Sequence, residues 1–146
     1  MDDAFILFVD DKPQNAELFT IILQSHGFSN RVVPVSDGIE ALDFLFCRGD
    51  YAGRDVGVAP RLILLDLNMP RMDGLETLRQ LRADERTKLL PVVVLTSSAY
   101  PGDKTEAYRL GANGYVDQLS DVPFPEAVRR IADYWLEVNQ IAPPEP

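Results

Sequence analysis

Five short apolar runs alternate with segments patterned at helical spacing. Phe5-Ile6-Leu7-Phe8-Val9 is continuous and rich in β-forming residues, which predicts a strand buried on both faces. Pro13 suits a first helical turn, and Leu18, Ile21, Ile22 and Ser25 follow as one apolar stripe. Residues 13–25 therefore read as a helix, with Gly27 placed to end it. Residues 31–35 form a second strand, in which Pro34 marks an edge or a bulge. Asp37-Gly38 is a turn or the cap of the next helix, whose stripe is Ile39, Leu42, Leu45 and Phe46. Residues 48–60 are a loop rich in Gly and charge. The third strand, 62–65, ends in Asp66; a loop to Gly74 leads to a helix marked by Leu75, Leu78 and Leu81. The fourth strand, 92–95, opens after Pro91 and ends at Thr96. Residues 103–110 are a polar helix closed by Gly111, and Gly114-Tyr115-Val116 is a short fifth strand. The last helix, 125–139, carries Val128, Ile131, Trp135 and Val138 on one side. Five alternations with short connections predict an α/β fold, a parallel sheet with helices on both faces.

Composition narrows the picture. At 146 residues the chain is one domain by size, read as 1–140 with a Pro-rich extended tail at 141–146. Fourteen Lys and Arg against 23 Asp and Glu give a net charge of −9. That sign argues against nucleic acid as a direct ligand and against anionic membrane surfaces. With one cysteine, Cys47, and one histidine, His26, neither an intrachain disulfide nor a His/Cys zinc site can form. A Ser-His-Asp triad would have to use His26, which has no nucleophile motif near it. No apolar run reaches the ~18 residues of a membrane span. Met1-Asp2-Asp3 is acidic where a signal peptide is basic, so a cytoplasmic location is expected.

The chemistry sits at strand ends. The first strand ends in Asp10-Asp11 and the third in Asp66. In an open parallel sheet the carboxyl ends of the strands form the ligand-binding edge. If these two strands are neighbours, three carboxylates converge. They repel one another unless a cation lies between them, and an all-oxygen donor set suits Mg²⁺, which commonly binds beside phosphate. Taken singly, strand-end acids are as often solvated caps. Thr96 ends a strand at the same edge and can donate to a phosphoryl oxygen, or simply cap the next turn. Tyr115, at the rim, reads on its own as an ordinary half-buried aromatic.

Together these residues resemble the receiver domain of two-component response regulators. The resemblance runs through Ile6-Leu7-Phe8-Val9-Asp10-Asp11, Asp37-Gly38-Ile39-Glu40-Ala41-Leu42, Leu64 to Gly74, Val93-Val94-Leu95-Thr96 and Gly111-Ala112-Asn113-Gly114-Tyr115. It implies a flavodoxin-like (βα)5 fold, a doubly wound parallel sheet of five strands. It implies Asp66 as phosphoacceptor, Asp11 as a direct Mg²⁺ ligand, Asp10 holding a water of the metal, and the backbone carbonyl of Asn68 completing the protein's share. Thr96 would bond the phosphoryl group, and Tyr115 would turn inward on activation. Loop 48–60, the run to Gly74 and Tyr134-Trp135-Leu136 resemble the stand-alone regulators that serve phytochrome-type histidine kinases. The implied partners are a histidine kinase (a bacteriophytochrome among them) or a phosphotransfer protein, and a downstream protein target. Tyr134 and Leu136, off the core stripe, are candidates for a homodimer through helix four, strand five and helix five.

The chain departs from the family pattern in one place. A Lys-Pro pair is usual where this sequence has Gln118-Leu119. Gln118 carries no charge, and the peptide bond into Leu119 is expected to be trans. Either phosphorylation persists with a weaker switch, or the chain is a degenerate receiver that binds partners independently of phosphorylation. Lys12, Arg71 and Lys104 are possible replacement cations, each otherwise read as a solvated surface charge. A third possibility, a Mg²⁺-dependent Asp-nucleophile phosphatase, would want an acid at position 68, where Asn68 stands. A signalling protein rather than an enzyme is expected.

Overall fold

The computed structural model describes residues 4–55 and 57–143. The acidic start at 1–3 and the tail residues 144–146 lie outside the described residues. Five parallel strands form one sheet: β1 (Phe5–Val9), β2 (Arg31–Val35), β3 (Leu62–Leu65), β4 (Val92–Thr96) and β5 (Gly114–Asp117), in the order β2-β1-β3-β4-β5. The helices between them are α1 (Pro13–Ser25), α2 (Gly38–Leu45), α3 (Gly74–Ala83), α4 (Pro101–Arg109) and α5 (Phe124–Ala132). This is the flavodoxin-like (βα)5 architecture.

Alternation along the strands builds two core layers. Phe5, Leu7, Val9, Ile63 and Leu65 face Leu42, Leu45, Leu78 and Leu81 of α2 and α3. Ile6, Phe8, Leu62, Leu64, Val93 and Leu95 face Phe19 and Leu23 of α1 and Val128 and Ile131 of α5. Both faces of the central strands are therefore dry, which explains why β1, β3 and β4 are unbroken apolar runs. Pro34 lies in edge strand β2, where a missing N–H costs no ladder bond.

Two helical stripes differ from the pattern expected of the sequence. In α1 the buried residues are Ala16, Phe19 and Leu23, while Leu18 is 49% and Ile21 62% exposed. The face is chosen by tertiary contact: the Phe19 ring packs against Phe8 of β1, 5.2 Å between centroids. A helix with apolar residues on more than one side cannot announce which side the sheet will take. The second case is the end of α5. The chain continues as a π-helical segment, Asp133–Val138, in which the Asn139 N–H reaches the Tyr134 carbonyl. The wider turn rotates the side chains beyond it. Leu136 is buried and Val138 is exposed, the reverse of the expected stripe. Leu136 is therefore core, and Tyr134 alone of that pair faces solvent.

The amino-end edge of the sheet is closed by one side chain. Arg82, in the last turn of α3, donates to the carbonyls of Gly111 (3.0 Å), Lys88 (3.0 Å) and Leu90 (2.9 Å) and to Asn113 Oδ1 (2.9 Å). Asn113 Oδ1 also accepts the Val92 N–H. One guanidinium fork thus ties α3 to the entry of β4 and the turn before β5, and burial pushes its pKa down. Arg82→Met is expected to lower unfolding free energy by about 2–3 kcal/mol, because buried carbonyls lose a charged donor. Arg82→Lys should recover only part of this, lacking the planar fork. Urea unfolding midpoints check both; a midpoint unmoved in Arg82→Met would contradict the assignment.

Candidate functional site

The strand order reverses direction between β1 and β3, and that switch point is where the acids meet. Val9 pairs with Leu65 in the parallel register, so the next residues of both strands emerge side by side. Carboxylate oxygens of Asp10, Asp11 and Asp66 lie within 4.8 Å of one another. Each acid is held differently. Asp10 is 8% exposed; its Oδ1 accepts the Lys12 N–H (2.8 Å) and its Oδ2 accepts Nδ2–H of Asn15 (3.1 Å). Asp66 Oδ1 accepts the Thr96 hydroxyl at 2.9 Å, and the Asn68 N–H approaches it at 3.5 Å. Asp11 Oδ1 is buried without a hydrogen-bond partner, 3.7 Å from the Lys12 ammonium.

Burial raises the Asp66 pKa above the ordinary carboxylate value. The Thr96 hydrogen bond opposes this, and the Asp10 charge adds to it. An orphaned buried carboxylate oxygen beside two further carboxylates is a donor set suited to a cation. Only oxygens are on offer, so the residues fit a hard divalent ion.

The loop after Asp66 is pinned from both sides. Gly74 opens α3 with its Cα against the backbone of Asp66: a Cβ there would sit 2.2 Å from the Asp66 carbonyl oxygen. Only glycine allows that approach. On the other side Arg71, at φ +64°, gives Asp37 two hydrogen bonds, Nε to Oδ2 at 2.7 Å and Nη2 to Oδ1 at 3.0 Å. Asp37 also caps α2 through the Glu40 N–H, which settles Asp37-Gly38 as a cap. Burial pushes the Asp37 pKa up, but the bonds from Arg71 and Glu40 outweigh it and hold the carboxyl below its usual range. Arg71 is thus a committed clamp rather than the solvated cation its local sequence suggests. The hold of Asn15 on Asp10 and the pairing of Asp37 with Arg71 carry no local signal, because each partner comes from another element.

The remaining residues lie along β4 and β5. Thr96 is fully buried. Tyr115 is half-buried against Leu67, Val94 and Ala107, with the Lys104 ammonium 5.6 Å from its ring centroid. Lys104 is accordingly not a purely solvated charge. Burial, then Asp103, Asp117 and Asp66, raise the Tyr115 pKa. Gln118 is exposed and lines a shallow groove with Phe8, Asn15, Leu18, Leu95 and Phe124. Its backbone N–H donates to the Thr96 carbonyl. No cis peptide occurs among the described residues, so the bond into Leu119 is trans as expected. The turn there is closed by Asp117, whose Oδ1 accepts the Leu119 N–H at 2.8 Å.

The sequence pattern of the response regulator receiver domain matches residues 6–122. The chain belongs to that family. The probable methanogenesis regulatory protein FilR2 of Methanothrix harundinacea is 37% identical over 140 residues, 95% of this chain and 88% of that protein. Response regulator Rcp1 of Synechocystis is 33% identical over 133 residues, 90% of this chain and 88% of that protein. The crystal structure of Mn²⁺-bound Rcp1 superposes with a TM-score of 0.84 at 32% identity, covering 96% of this chain and 99% of that one. The phosphorylated cyanobacterial phytochrome response regulator RcpA gives 0.83 at 32% identity, covering 94% and 98%. This receiver domain therefore resembles phytochrome-associated regulators. Among the described residues no helix is long and apolar enough to cross a membrane.

The crowding of charge has a measurable cost. With its pKa raised, Asp66 favours the folded state in its protonated form. That contribution is complete below the ordinary carboxylate pKa of about 4 and is lost as pH rises through the raised value. In metal-free buffer at pH 7, Asp66→Asn is expected to melt about 2–4 °C above wild type. The gap should close towards pH 4. Melting curves across pH check this; a lower melting point for the variant at pH 7 would count against the crowding.

Proposed function

We propose that this receiver is a single-domain response regulator, residues 1–140 with a short tail, of a two-component phosphorelay. It takes a phosphoryl group from a histidine kinase, or a phosphotransfer protein, onto Asp66. The observation that carries the reading is the meeting of Asp10, Asp11 and Asp66 at the switch point of the sheet. Asp11, with its orphaned oxygen, Asp66 and the backbone carbonyl of Asn68 would hold Mg²⁺, with Asp10 fixing a coordinated water. When bound, the ion neutralises negative charge on the phosphoryl oxygens.

The chain's own residues do the rest. An Asp66 carboxylate oxygen forms a bond to phosphorus as the phosphorus–nitrogen bond to the donor histidine breaks, giving an acyl phosphate. The Thr96 hydroxyl, already on Asp66 at 2.9 Å, is placed to follow the charge and donate to a phosphoryl oxygen. Its movement vacates space beside Tyr115, whose half-buried ring can then turn inward. The altered contour of β4, β5 and α4 is the message, read by a downstream protein or by a second copy of the chain. Tyr108 and Tyr134, each about half exposed, support a homodimer through α4, β5 and the α5 region.

A phytochrome-type kinase, including a bacteriophytochrome, is the proposed donor, supported by the likeness to RcpA. Action in the cytoplasm accords with a donor and target that are both signalling proteins. Gln118 supports a second reading, a receiver that binds partners without phosphorylation, since its amide brings no charge to Asp66.

Acetyl phosphate with Mg²⁺ decides between them. Intact mass should rise by about 80 Da, one phosphoryl group added to Asp66. The adduct should vanish in Asp66→Asn, and a phosphomonoester should show no turnover. No adduct from acetyl phosphate or from any phosphorylated kinase would leave the binding module as the correct reading. Light scattering at tens of micromolar tests the dimer, where a monomer with and without the adduct would refute it.

A further inference from the structure

The missing cation of the β5 edge has a counterpart on the opposite side of the acid cluster. Gln118 is neutral, its side chain stands exposed over a groove towards α1, and the residue before it is Asp117. β5 and the turn after it, Gly114 to Leu119, therefore contribute no cationic side chain of their own. Arg71 is spent on Asp37 through two hydrogen bonds. Lys104 lies over the Tyr115 ring. Lys12 is different: its ammonium is 3.7 Å from Asp11 Oδ1, inside the contact radius of the cluster. Its side chain is 59% exposed, so it is free to swing.

The oxygen it faces is the one with no hydrogen-bond partner. Lys12 and a divalent ion would therefore compete for the same atom. An ion bound at that oxygen would displace the ammonium, which stays tethered one residue from Asp11. We propose that Lys12 is this receiver's substitute for the usual lysine. It neutralises Asp11 while the site lacks metal, and pairs with a phosphoryl oxygen on Asp66 once the metal has taken Asp11. The inference rests on Asp66 being the acceptor.

One substitution should have two opposite effects. In Lys12→Gln, Mg²⁺ should bind the unphosphorylated protein roughly two- to fivefold more tightly, because its competitor is gone. At saturating Mg²⁺, beryllofluoride, a non-covalent phosphoryl mimic, should bind roughly tenfold more weakly, because a charged partner is lost. Adding Gln118→Lys to Lys12→Gln should restore beryllofluoride affinity while leaving Mg²⁺ binding tight. Isothermal titration calorimetry reads each constant without any turnover. Lys12 packs in no core, so the variant should melt as the wild type does. Unchanged beryllofluoride affinity in Lys12→Gln, whatever happens to Mg²⁺, overturns the proposal while the acceptor reading stands. A wild type that binds Mg²⁺ but neither beryllofluoride nor a phosphoryl group overturns the acceptor reading, and this proposal with it.

Discussion

Three like charges held within 4.8 Å are what the rest of this molecule has to support. Parallel pairing of β1 with β3 forces the contact, because Val9 and Leu65 share a register and the acids come directly after them. Left alone, such a cluster relaxes by protonation or by splaying its strands. Here splaying is opposed by the dry packing on both faces of the sheet, from Phe19 and Leu23 on one side to Leu78 and Leu81 on the other. Hydrogen-bond donors are assigned to separate oxygens, Lys12 N–H and Asn15 on Asp10 and Thr96 on Asp66, yet burial and the Asp10 charge still leave the Asp66 pKa raised. What remains unanswered is the single orphaned oxygen of Asp11.

The two edges of the sheet are handled in contrasting ways. At the amino edge, Arg82 satisfies backbone carbonyls of the loop before β4 and of the turn before β5, together with the Asn113 side chain. At the carboxyl edge, arginine is used only at the periphery. Arg71 clamps the loop after Asp66 to the cap of α2 through two hydrogen bonds from its guanidinium to Asp37. Gly74 brings the start of α3 onto the Asp66 backbone. These contacts fix the loop without placing a strong cation in the cluster itself. A fixed guanidinium there would compete with any divalent ion for the same carboxylates, since both bind carboxylate oxygens.

β1, β3 and β4 were legible in the sequence because burial on both faces leaves an apolar run that needs no partner to interpret. Asp10, Asp11 and Asp66 were legible for the same reason, as polar residues ending such runs. Helix faces were less so. The expected stripe of α1 through Leu18 and Ile21 stands in solvent, since the Phe8–Phe19 contact that selects the face is a tertiary fact. The exchange of Val138 for Leu136 comes from a π-helical turn that no local periodicity encodes. Arg71 looked like a surface cation because its partner, Asp37, belongs to another crossover unit. Asn15 escaped notice for the mirror reason: its role depends on the chain turning back over Asp10 as it enters α1.

Charge around the cluster is distributed in a way that bears on switching. On the β5 side stand Asp117 and neutral Gln118; on the α1 side stand the backbone N–H and the ammonium of Lys12. A group carrying about −1.5 to −2 charges on Asp66 is therefore drawn towards β1 and α1 and away from β5. Where a lysine occupies the β5 edge, that strand would follow the phosphoryl group by direct attraction. If Asp66 is phosphorylated as proposed, the buried Thr96 hydroxyl and the space its movement would leave for Tyr115 are what the β4–β5 side has to respond with. Such a readout would rest on packing more than on charge. It depends on the fit of one ring against Leu67, Val94 and Ala107, with the ammonium of Lys104 above it.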